Sequence, residues 1–339
     1  MKLKSGINLG GWLSQCEHGE EHYRRFISGE DVVRIARWGF DHVRLPIDCE
    51  VVQTADGMDI ESGYAHIDRA VEWCRVNRLS LVLDLHKAYG YDFNDAGGAD
   101  RNNLFTSEAL KARFIGLWKK LAMRYGGYDH VAFELLNEVV EEENNDPWND
   151  LIDRCVTAIR AIAPVTPIIY GGIQWNSSRT LKLLRKPAAD GIIYTFHFYE
   201  PLLFTHQKAY WVKAIDKNRE ISYPATMEYY REGSRALGFQ GDAATLARSQ
   251  TMGGEFIAEL MSEAVEAAKK AGVPLYCGEF GVIDLAPAED TLRWFEDVNS
   301  VLRENDIGFA VWNYREKDFG IAGEHYDTIR ERLLALWNK

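Results

Sequence analysis

Two glutamates, Glu138 and Glu279, each stand beside a short apolar run that is typical of a buried strand. Glu138 closes the run Phe133-Glu-Leu-Leu-Asn-Glu138, and Glu279 lies within Tyr276-Cys-Gly-Glu-Phe-Gly-Val282. Cleavage of a glycosidic bond needs one carboxylic acid to protonate the leaving oxygen and one carboxylate to attack the sugar or activate water. A single glutamate after a strand is usually a helix cap or a loop charge. Two in such similar settings favour a catalytic pair.

Six further polar or aromatic residues stand at the ends of strand-like runs: Arg44, His86, Asn137, His197, Tyr199 and Trp312. In a barrel of parallel strands, side chains at these ends converge on one cavity. We expect Arg44 and Tyr199 to hold Glu279 as an oriented carboxylate, because a guanidinium and a hydroxyl both donate hydrogen bonds to carboxylate oxygens. Asn137, next to Glu138, is placed to hydrogen-bond a sugar 2-hydroxyl, a contact that strengthens in the transition state.

Glu138 needs the opposite setting, since an acid must carry a proton to deliver it. Burial and the negative charge of Glu279 are expected to raise the pKa of Glu138, so that it stays protonated near neutral pH. His86 and His197 could bind sugar hydroxyls or tune Glu138, although a lone histidine is often a satisfied core residue. Trp312 would lie beneath a sugar ring, because pyranose C–H faces pack well on indole.

Short apolar runs alternate with segments of helical periodicity along the whole chain. The runs lie at 6–10, 41–47, 79–86, 131–138, 167–172, 192–199, 274–281 and 307–314. Tyr64–Val76 and Phe256–Ala271 carry apolar residues at helical spacing between such runs. Leu79–Leu85 is nearly continuously apolar, which is typical of parallel strands covered on both faces. Eight strands alternating with helices predict a (β/α)8 TIM barrel, with strands four and seven facing each other across its mouth.

One interval, between the sixth strand and the helix beginning near Glu255, is too long for an ordinary loop. We predict that residues 202–254 form a small helical subdomain over the carboxyl-terminal face, inserted in a single catalytic domain of residues 1–339. Lys208–Arg219 and Met227–Leu237 are its predicted helices. A disordered surface loop is the alternative, against which the aromatic content of the interval argues.

The charge balance bears on the partners of the chain. Its 339 residues include 39 basic and 51 acidic side chains, a net charge of −12. Nucleic acid and anionic membranes need a basic surface, so neither is an expected partner, and a neutral glycan is compatible with the charge. No apolar stretch is long enough for a transmembrane helix.

The cysteines bear on the compartment. There are five, scattered and without zinc spacing: Cys16, Cys49, Cys74, Cys155 and Cys277. Reduced, mostly buried thiols are the expected state, which favours a cytoplasmic enzyme. Secretion after removal of a leader peptide remains open, because a removed leader leaves no trace.

Taken together, these residues resemble glycoside hydrolase family 5, the large cellulase family. The active-site residues of that family are Arg, His, Asn-Glu, His-x-Tyr, Glu and Trp, in that order along the chain. This sequence supplies Arg44, His86, Asn137-Glu138, His197-x-Tyr199, Glu279 and Trp312. Five segments are similar to the clostridial endoglucanase C type, which also carries an insert after strand six: Gly6–Trp12, Phe40–Pro46, Phe133–Glu138, Tyr276–Val282 and Ala310–Tyr314.

The resemblance implies hydrolysis of β-1,4-linked or mixed β-1,3/1,4-linked glucan, with retention of configuration and without a cofactor or metal. It makes Glu138 the general acid/base and Glu279 the nucleophile. Two departures concern substrate preference. His86 is followed by Lys87 where close relatives tend to have a second histidine, and the loop Arg315–Gly320 after strand eight is charged. The segment 174–176, Gln-Trp-Asn, offers an aromatic platform on the opposite side for the leaving-group sugar, although its tryptophan could equally be a buried loop residue.

Three alternatives stay open at this point. A β-mannanase, an exo-β-glucanase or a β-glucosidase could use the same eight residues. A metal-dependent barrel enzyme could use five potential ligands, Asp84, His86, Glu138, His197 and Glu279, although an arginine and a tryptophan would be unusual beside a cation. A sugar-binding barrel without catalysis is disfavoured, because both glutamates are present. An endoglucanase is the expected type, while the sequence does not decide endo against exo action, the preferred glycan or the oligomeric state.

Overall fold

Eight parallel strands form the centre of the computed structural model, which describes residues 1–98 and 102–338. The strands are β1 Ser5–Asn8, β2 His42–Asp48, β3 Ser80–Lys87, β4 Val131–Glu134, β5 Ile168–Gly171, β6 Ile192–Phe198, β7 Leu275–Phe280 and β8 Gly308–Val311. Each strand pairs with the next one along the chain, and pairing of Gly6 with Ala310 closes the barrel between β1 and β8. The predicted (β/α)8 barrel is confirmed.

The regular part of β4 is shorter than predicted, because it ends at Glu134 and not at residue 138. The backbone continues in an extended path beyond that point. The Leu135 amide donates to the Ile169 carbonyl at 3.0 Å, and the Asn137 amide donates to the Leu85 carbonyl at 3.2 Å. These two bonds hold the segment that carries Asn137 and Glu138 against both neighbouring strands, beyond the last regular pair of the sheet.

Helices cover the outside of the barrel. They are α1 Glu20–Arg25, α2 Gly29–Arg37, α3 Cys49–Val52, α4 Glu61–Asn77, α5 Glu108–Tyr125, α6 Asn145–Arg160, α7 Leu202–Thr205, α8 Met227–Ser234, α9 Asp242–Thr245, α10 Gly254–Ala271, α11 Ala288–Glu304 and α12 Arg330–Trp337. The two helical segments predicted from periodicity lie within α4 and α10. In α10, Phe256, Leu260 and Ala264 are buried at helical spacing, so this face packs on the barrel. Among the described residues, no helix has the length and apolar character needed to cross a membrane.

The barrel interior changes from apolar to charged toward the mouth. Val82, Ala132, Ile169, Tyr276 and Ala310 form an apolar cluster of their own, contributed by five strands. Side chains alternate between the two faces of a strand, so the next inward positions are two residues further on. Those positions carry Asp84 and Glu134, both fully buried. Charges placed there need partners within the barrel.

Residues 202–254 between β6 and α10 carry helices of their own, which confirms a helical insert after strand six. They contain α7, α8, a 3-10 helix at Arg235–Gly241 and α9. Phe204, Tyr223 and Tyr230 are buried, and the rings of Phe204 and Tyr223 lie 5.2 Å apart. The Tyr223 hydroxyl donates to Asp297 of α11 at 2.7 Å. The insert therefore has a small core and is tied to the helix layer of the barrel.

The predicted helix at Lys208–Arg219 is wrong, because this stretch consists of turns. Local side-chain bonds replace the helical ones. The ammonium group of Lys217 donates to the carbonyls of Ala209 and Val212, and the Asp216 carboxylate accepts from the Asn218 amide at 2.9 Å. Bonds of this kind compete with helix formation. The second predicted helix is correct in its first part, since α8 spans Met227–Ser234.

Candidate active site

A cavity of about 920 Å³ opens at the carboxyl ends of the strands. Six of the predicted site residues line it: Asn137, Glu138, His197, Tyr199, Glu279 and Trp312. The other two lie directly beneath this lining. Arg44 is hydrogen-bonded to Glu279 and Asn137, and the His86 ring stacks against Trp312. The structure therefore brings all eight predicted residues together.

Arg44 lies at the centre of the buried charged residues inside the barrel and is itself fully buried. Its guanidinium donates to Glu134 at 2.7 and 2.9 Å, to Asn137 at 2.8 Å and to Glu279 at 2.8 Å. It also donates to Asn8 at 3.0 Å. A guanidinium has five N–H donors in a rigid planar fork, so this one side chain orients groups from several strands at once.

Both oxygens of the Glu279 carboxylate have a donor. Oε1 accepts from Arg44, and Oε2 accepts from the Tyr199 hydroxyl at 2.9 Å. Burial raises the pKa of Tyr199 well above its usual range, and the charge of Glu279 acts in the same direction. Tyr199 therefore keeps its proton and remains a donor. This arrangement fixes the direction of the Glu279 carboxylate.

Glu138 is buried too, at 8% exposure, and within residues 1–98 and 102–338 its side chain is hydrogen-bonded to His197 and to no lysine or arginine. Burial raises the pKa of Glu138 to about 7, while His86 and Arg44 oppose the rise. The expected direction is therefore found, with desolvation as its cause; the predicted contribution from the charge of Glu279 is not among the causes. A carboxyl group with this pKa can hold a proton near neutral pH and also release it.

His197 connects the two glutamates. Its Nδ1 atom lies 2.6 Å from Glu138 Oε1 and 3.7 Å from Glu279 Oε2. Burial lowers the pKa of His197 to about 4, so the ring is neutral at neutral pH. Gly278 leaves space for this ring, since a Cβ atom there would come within 3.3 Å of Nε2. The neutral imidazole contacts Glu138 without favouring its charged form as a cation would.

The two carboxylates are close to each other. One oxygen of Glu138, one of Glu279 and a ring nitrogen of His197 all lie within 4.8 Å of one another. Carboxyl groups in retaining glycosidases are about 5–5.5 Å apart, and those in inverting enzymes about 6.5–9.5 Å. The nearest oxygens of Glu138 and Glu279 are thus closer than the carboxyl spacing of the inverting class.

His86 and Trp312 form a stacked pair at one side of the cavity, with ring centroids 5.9 Å apart and planes inclined by 8°. Both imidazole nitrogens are engaged, Nδ1 with Asp84 at 2.6 Å and Nε2 with the Gln15 amide at 3.0 Å. A Cβ atom at Gly10 would lie 2.5 Å from the Trp312 ring, so only glycine fits there. His86 thus supports the indole, and its ring nitrogens are not free for a sugar.

The comparison with known proteins decides the family. The family model "Cellulase (glycosyl hydrolase family 5)" matches residues 11–318. The chain belongs to this family. It is a glycosyl hydrolase of the retaining cellulase type, as the resemblance in the sequence implied.

Two curated relatives of this cellulase-family chain are similar over most of its length. Endoglucanase C of Acetivibrio thermocellus is 41% identical over 98% of this chain and 97% of the relative. Cellodextrinase A of Ruminococcus flavefaciens is 42% identical over 89% of this chain and 82% of the relative. Among solved structures, Thermotoga maritima Cel5A in complex with cellobiose is 26% identical with a TM-score of 0.75, covering 99% of this chain and 97% of that chain. The predicted similarity to the endoglucanase C type is confirmed.

Sequence reasoning missed three partners of Arg44 in the cellulase-family site. Glu134 and Asn8 were not named, and Asp84, whose Oδ2 lies 3.1 Å from Arg44 Nη2, was named only as a possible metal ligand. The signal for Glu134 was present, because it is a charged residue within the apolar run 131–136. A charge inside a buried strand predicts a partner of opposite charge. Which arginine would meet it depends on the barrel.

Glu200, a third carboxyl group in the cavity, was also missed. Its Oε2 atom accepts from the Leu202 amide at 3.0 Å, and burial raises its pKa to about 7. It follows Tyr199 directly, so its position beyond the sixth strand was the available signal.

The metal alternative meets an obstacle in this cellulase-family site. Glu138, His197 and Glu279 are the only three described residues whose potential ligand atoms cluster closely enough for one ion. Arg44 and Tyr199 already donate to the two oxygens of Glu279, and His197 Nδ1 is engaged with Glu138. A cation bonded there would face the Arg44 guanidinium at short range, which costs electrostatic energy. The hydrogen bonds fit a pair of carboxylates that work through protons and covalent attack.

Proposed function

We propose that this chain is an endo-acting β-glucanase that cleaves β-1,4-linked or mixed β-1,3/1,4-linked glucan, with Glu279 as nucleophile and Glu138 as general acid/base. The observation that carries the residue assignment is the approach of the two carboxylates to within 4.8 Å. This distance suits direct attack by one carboxylate while the other protonates the leaving oxygen. Inverting enzymes hold their carboxyl groups farther apart, about 6.5–9.5 Å, to make room for the attacking water molecule.

In the first step, Glu279 attacks the anomeric carbon and the glycosidic oxygen leaves with the proton of Glu138. Glu279 enters as a carboxylate, held by Arg44 and Tyr199. Glu138 enters as an acid, because burial raises its pKa to about 7. The C–O bond to the leaving sugar breaks as the bond to Glu279 forms, and the leaving sugar departs as a free alcohol.

In the second step, water attacks the same carbon and Glu138, now ionised, accepts a proton from it. Glu279 departs as a carboxylate, and the bonds from Arg44 and Tyr199 stabilise the returning charge. Asn137 uses its amide oxygen to accept from Arg44, which leaves its NH2 group to donate to the sugar 2-hydroxyl. Two displacements at one carbon restore the β configuration of the product.

A neutral glucan is the substrate that the cavity supports best. Its lining includes the aromatic side chains Trp175, Tyr210, Trp211 and Phe239, whose ring faces suit pyranose C–H faces. The net charge of −12 favours an uncharged polymer over nucleic acid or an anionic membrane as partner. The relative named endoglucanase C supports glucan in particular.

Two other specificities have an observation in their favour. Release of short units from oligosaccharides, an exo-glucanase or β-glucosidase activity, is supported by the relative named cellodextrinase A. Mannan hydrolysis is supported by the solved structure of Thermotoga maritima Cel5A in complex with mannotriose, which covers 99% of this chain at 26% identity. All of these reactions can use the same eight residues, so the test must compare substrates.

The test is product analysis on carboxymethylcellulose, lichenan, mannan, laminarin and cellobiose, with Glu279→Ala as the control for contaminating activity. An endo-glucanase lowers the viscosity of carboxymethylcellulose well before reducing sugar accumulates, and proton NMR of the first products shows the β anomer. A first product with the α anomer would refute the retaining assignment. Release of cellobiose or glucose without loss of viscosity would replace endo by exo action, and faster mannan hydrolysis would replace glucan by mannan.

Two further parts of the proposal concern the metal requirement and the cellular compartment. No metal takes part, so full activity is expected after dialysis against EDTA; a loss that zinc or magnesium restores would contradict this.

All five cysteines are free, and four of them are buried. These free thiols support a reducing compartment such as the cytoplasm.

A further inference from the structure

The side chain of Tyr91 reaches from the loop after β3 to the chain segment that carries Glu138. Tyr91 closes a tight turn, in which its amide donates to the Ala88 carbonyl at 2.9 Å and its carbonyl accepts from the Ala88 amide at 3.1 Å. Gly90 in this turn has a φ of 81°, a left-handed conformation that glycine adopts without steric cost. Tyr91 is 2% exposed, and its ring packs edge-on against Phe105 with the centroids 5.2 Å apart. The turn and the packing therefore fix the position of the Tyr91 hydroxyl.

This hydroxyl holds the peptide group that follows Glu138 by one residue. It accepts from the Val140 amide at 2.8 Å. The carbonyl of the same peptide group, that of Val139, accepts from the Trp175 amide at 3.2 Å. The amide and the carbonyl of a trans peptide group point in opposite directions, so the loops after β3 and β5 hold this group from two sides. The plane of the peptide group between Val139 and Val140 is thereby fixed.

Glu141 completes the connection between the acid segment and the loop after β3. Its Oε2 atom accepts from the Tyr91 hydroxyl at 3.1 Å and from the Asn144 side chain at 3.0 Å. Its Oε1 atom accepts from the Gly97 amide at 3.1 Å and from the Asn102 side chain at 3.4 Å. Partial burial raises the pKa of Glu141, but hydrogen bonds from the Gly97 amide and from neighbouring side chains together outweigh it and lower the pKa. Glu141 is therefore an ionised carboxylate, which can only accept hydrogen bonds.

Both residues act on the acid from outside the substrate cavity, since neither Tyr91 nor Glu141 is among the described residues that line it. The bond from the Asn137 amide to the Leu85 carbonyl holds the backbone before Glu138. The peptide group held by Tyr91 is the corresponding support after it. Proton transfer to a leaving oxygen requires the acid within hydrogen-bond reach of that oxygen, so a small change in its direction lowers the rate.

We propose that Tyr91 and Glu141 are positioning residues for the general acid: together they hold the backbone after Glu138 and so direct its carboxyl group at the leaving oxygen. The inference rests on the proposed function, because it takes Glu138 as the acid. Tyr91 is needed for its hydroxyl, which accepts from the backbone amide. Glu141 is needed as the acceptor that orients this hydroxyl, with the lone pairs of the oxygen toward Val140.

The test measures kcat/KM for a series of aryl cellobiosides whose phenol leaving groups differ in pKa. This parameter reports the first displacement, in which a poor leaving group needs the proton of Glu138 and a good one does not. We expect Tyr91→Phe to lower kcat/KM about tenfold for phenyl cellobioside and less than about twofold for dinitrophenyl cellobioside. The plot of log kcat/KM against leaving-group pKa then becomes steeper. Glu141→Gln places an amide where the carboxylate accepted, and it should steepen the plot as well.

Tyr89→Phe is the matched control. Tyr89 lies in the same turn as Tyr91, but its hydroxyl donates to the Gln53 carbonyl at 2.6 Å, away from the acid segment. This variant should keep the slope of the parent enzyme. The inference is overturned if Tyr91→Phe and Glu141→Gln keep the parent slope or lower kcat/KM equally for all leaving groups, as a general disturbance of the fold would.

A reference variant, Glu138→Ala, separates this failure from failure of the proposed function. If Glu138→Ala steepens the plot and Tyr91→Phe does not, only the positioning role is wrong. If Glu138→Ala itself lowers kcat/KM equally for all leaving groups, Glu138 is not the acid, and the assignment and the inference fail together.

Discussion

At the scale of single residues, the two glutamates are the same side chain with different neighbours. Glu279 receives hydrogen bonds from Arg44 and Tyr199, one on each carboxylate oxygen, which fix the direction of the carboxylate. Glu138 is buried beside His197, a neutral ring, and the loss of water raises its pKa to about 7. The raised pKa of Glu138 suits the role of the acid, and the hydrogen bonds to Glu279 suit the role of an oriented nucleophile.

The pH dependence of catalysis follows from Glu138. Its raised pKa means that the acid form is present below about pH 7 and is lost as the pH rises through that value. We expect kcat/KM on cello-oligosaccharides to fall above about pH 7, because the free enzyme then lacks the proton that the leaving oxygen needs. A pH profile of kcat/KM on a cello-oligosaccharide tests this expectation.

The control for this fall in kcat/KM is the pH profile of Glu138→Gln on a dinitrophenyl cellobioside, whose leaving group needs no proton. The fall in kcat/KM near pH 7 should be absent in this variant. Burial also raises the pKa of Asp84 and of Glu200 to about 7. If the fall in kcat/KM persists in Glu138→Gln, it is caused by the titration of Asp84 or Glu200, which would contradict the role of Glu138.

Removal of the nucleophile gives a second prediction at this scale. Glu279→Ala should reduce turnover on an aryl cellobioside by several orders of magnitude, and azide should restore it with formation of the α-glycosyl azide. A small anion can occupy the space of the missing carboxylate and attack from the same side. The matched variant Glu138→Ala keeps the nucleophile, so azide should give the β-glycosyl azide there. The same anomer from both variants would mean that the two roles are not divided in this way.

At the scale of elements, the insert after β6 forms one wall of the cavity. Tyr210 and Trp211 of its turn segment line the cavity, and the Trp211 ring lies 6.4 Å from Phe319 in the loop after β8. The rings of Tyr199 and Phe319 are 5.9 Å apart, so this aromatic row reaches a residue that contacts Glu279. Loops that follow strands leave the barrel on the catalytic side, which is why an insert there borders the substrate.

Replacement of residues 208–250 by a short Gly/Ser loop should lower kcat/KM for long glucan more than for an aryl cellobioside. The lost wall contacts distant sugars, whose binding energy contributes to turnover on long chains. Trp211→Ala, which removes one ring of that wall, should change the preference in the same direction without removing the fold of the insert. Kinetics on both substrates measure the effect. If both variants keep the parent ratio of kcat/KM for long glucan to kcat/KM for the aryl cellobioside, the insert only covers the barrel surface and does not contact the substrate.

At the scale of the whole molecule, the charged layer inside the barrel joins distant parts of the chain. Through Arg44, β2 is bonded to Asn8 of β1, Glu134 of β4 and Glu279 of β7. Removal of one partner from a buried ionic network leaves uncompensated charges, which is far more costly than loss of an exposed pair.

Arg44→Met should therefore destabilise the fold by roughly 3–5 kcal/mol, measured by urea unfolding, in addition to its effect on activity. The methionine keeps the unbranched apolar stem but is shorter, and it leaves Glu134 and Glu279 without their cation. The matched control is Arg75→Ala, because Arg75 forms an ion pair with Glu72 on the exposed face of α4. This control should unfold at the parent midpoint. Equal midpoints for Arg44→Met and the parent would show that the buried network does not contribute to stability.

The sequence by itself determined the barrel and eight residues of the site. Strand periodicity and near-continuous apolar runs are local properties, and parallel topology then places the ends of all strands at one face. That is why Arg44, Glu138 and Glu279, far apart in the chain, could be assigned to one cavity. The helical insert was predictable in the same way, from the length and aromatic content of its segment.

The tertiary structure alone decided how these residues are paired. The partners of Arg44 include Glu134 and Asn8, which meet it only because the barrel closes, and burial proved to be the cause of the raised pKa of Glu138. The turns at 208–219 replace a predicted helix because side chains bond to nearby backbone groups, a competition that periodicity does not record. A cavity of about 470 Å³, lined by segments after β4, after β5 and in the insert, was not predicted either. Their contact depends on packing between segments distant in the chain, which local sequence patterns do not specify.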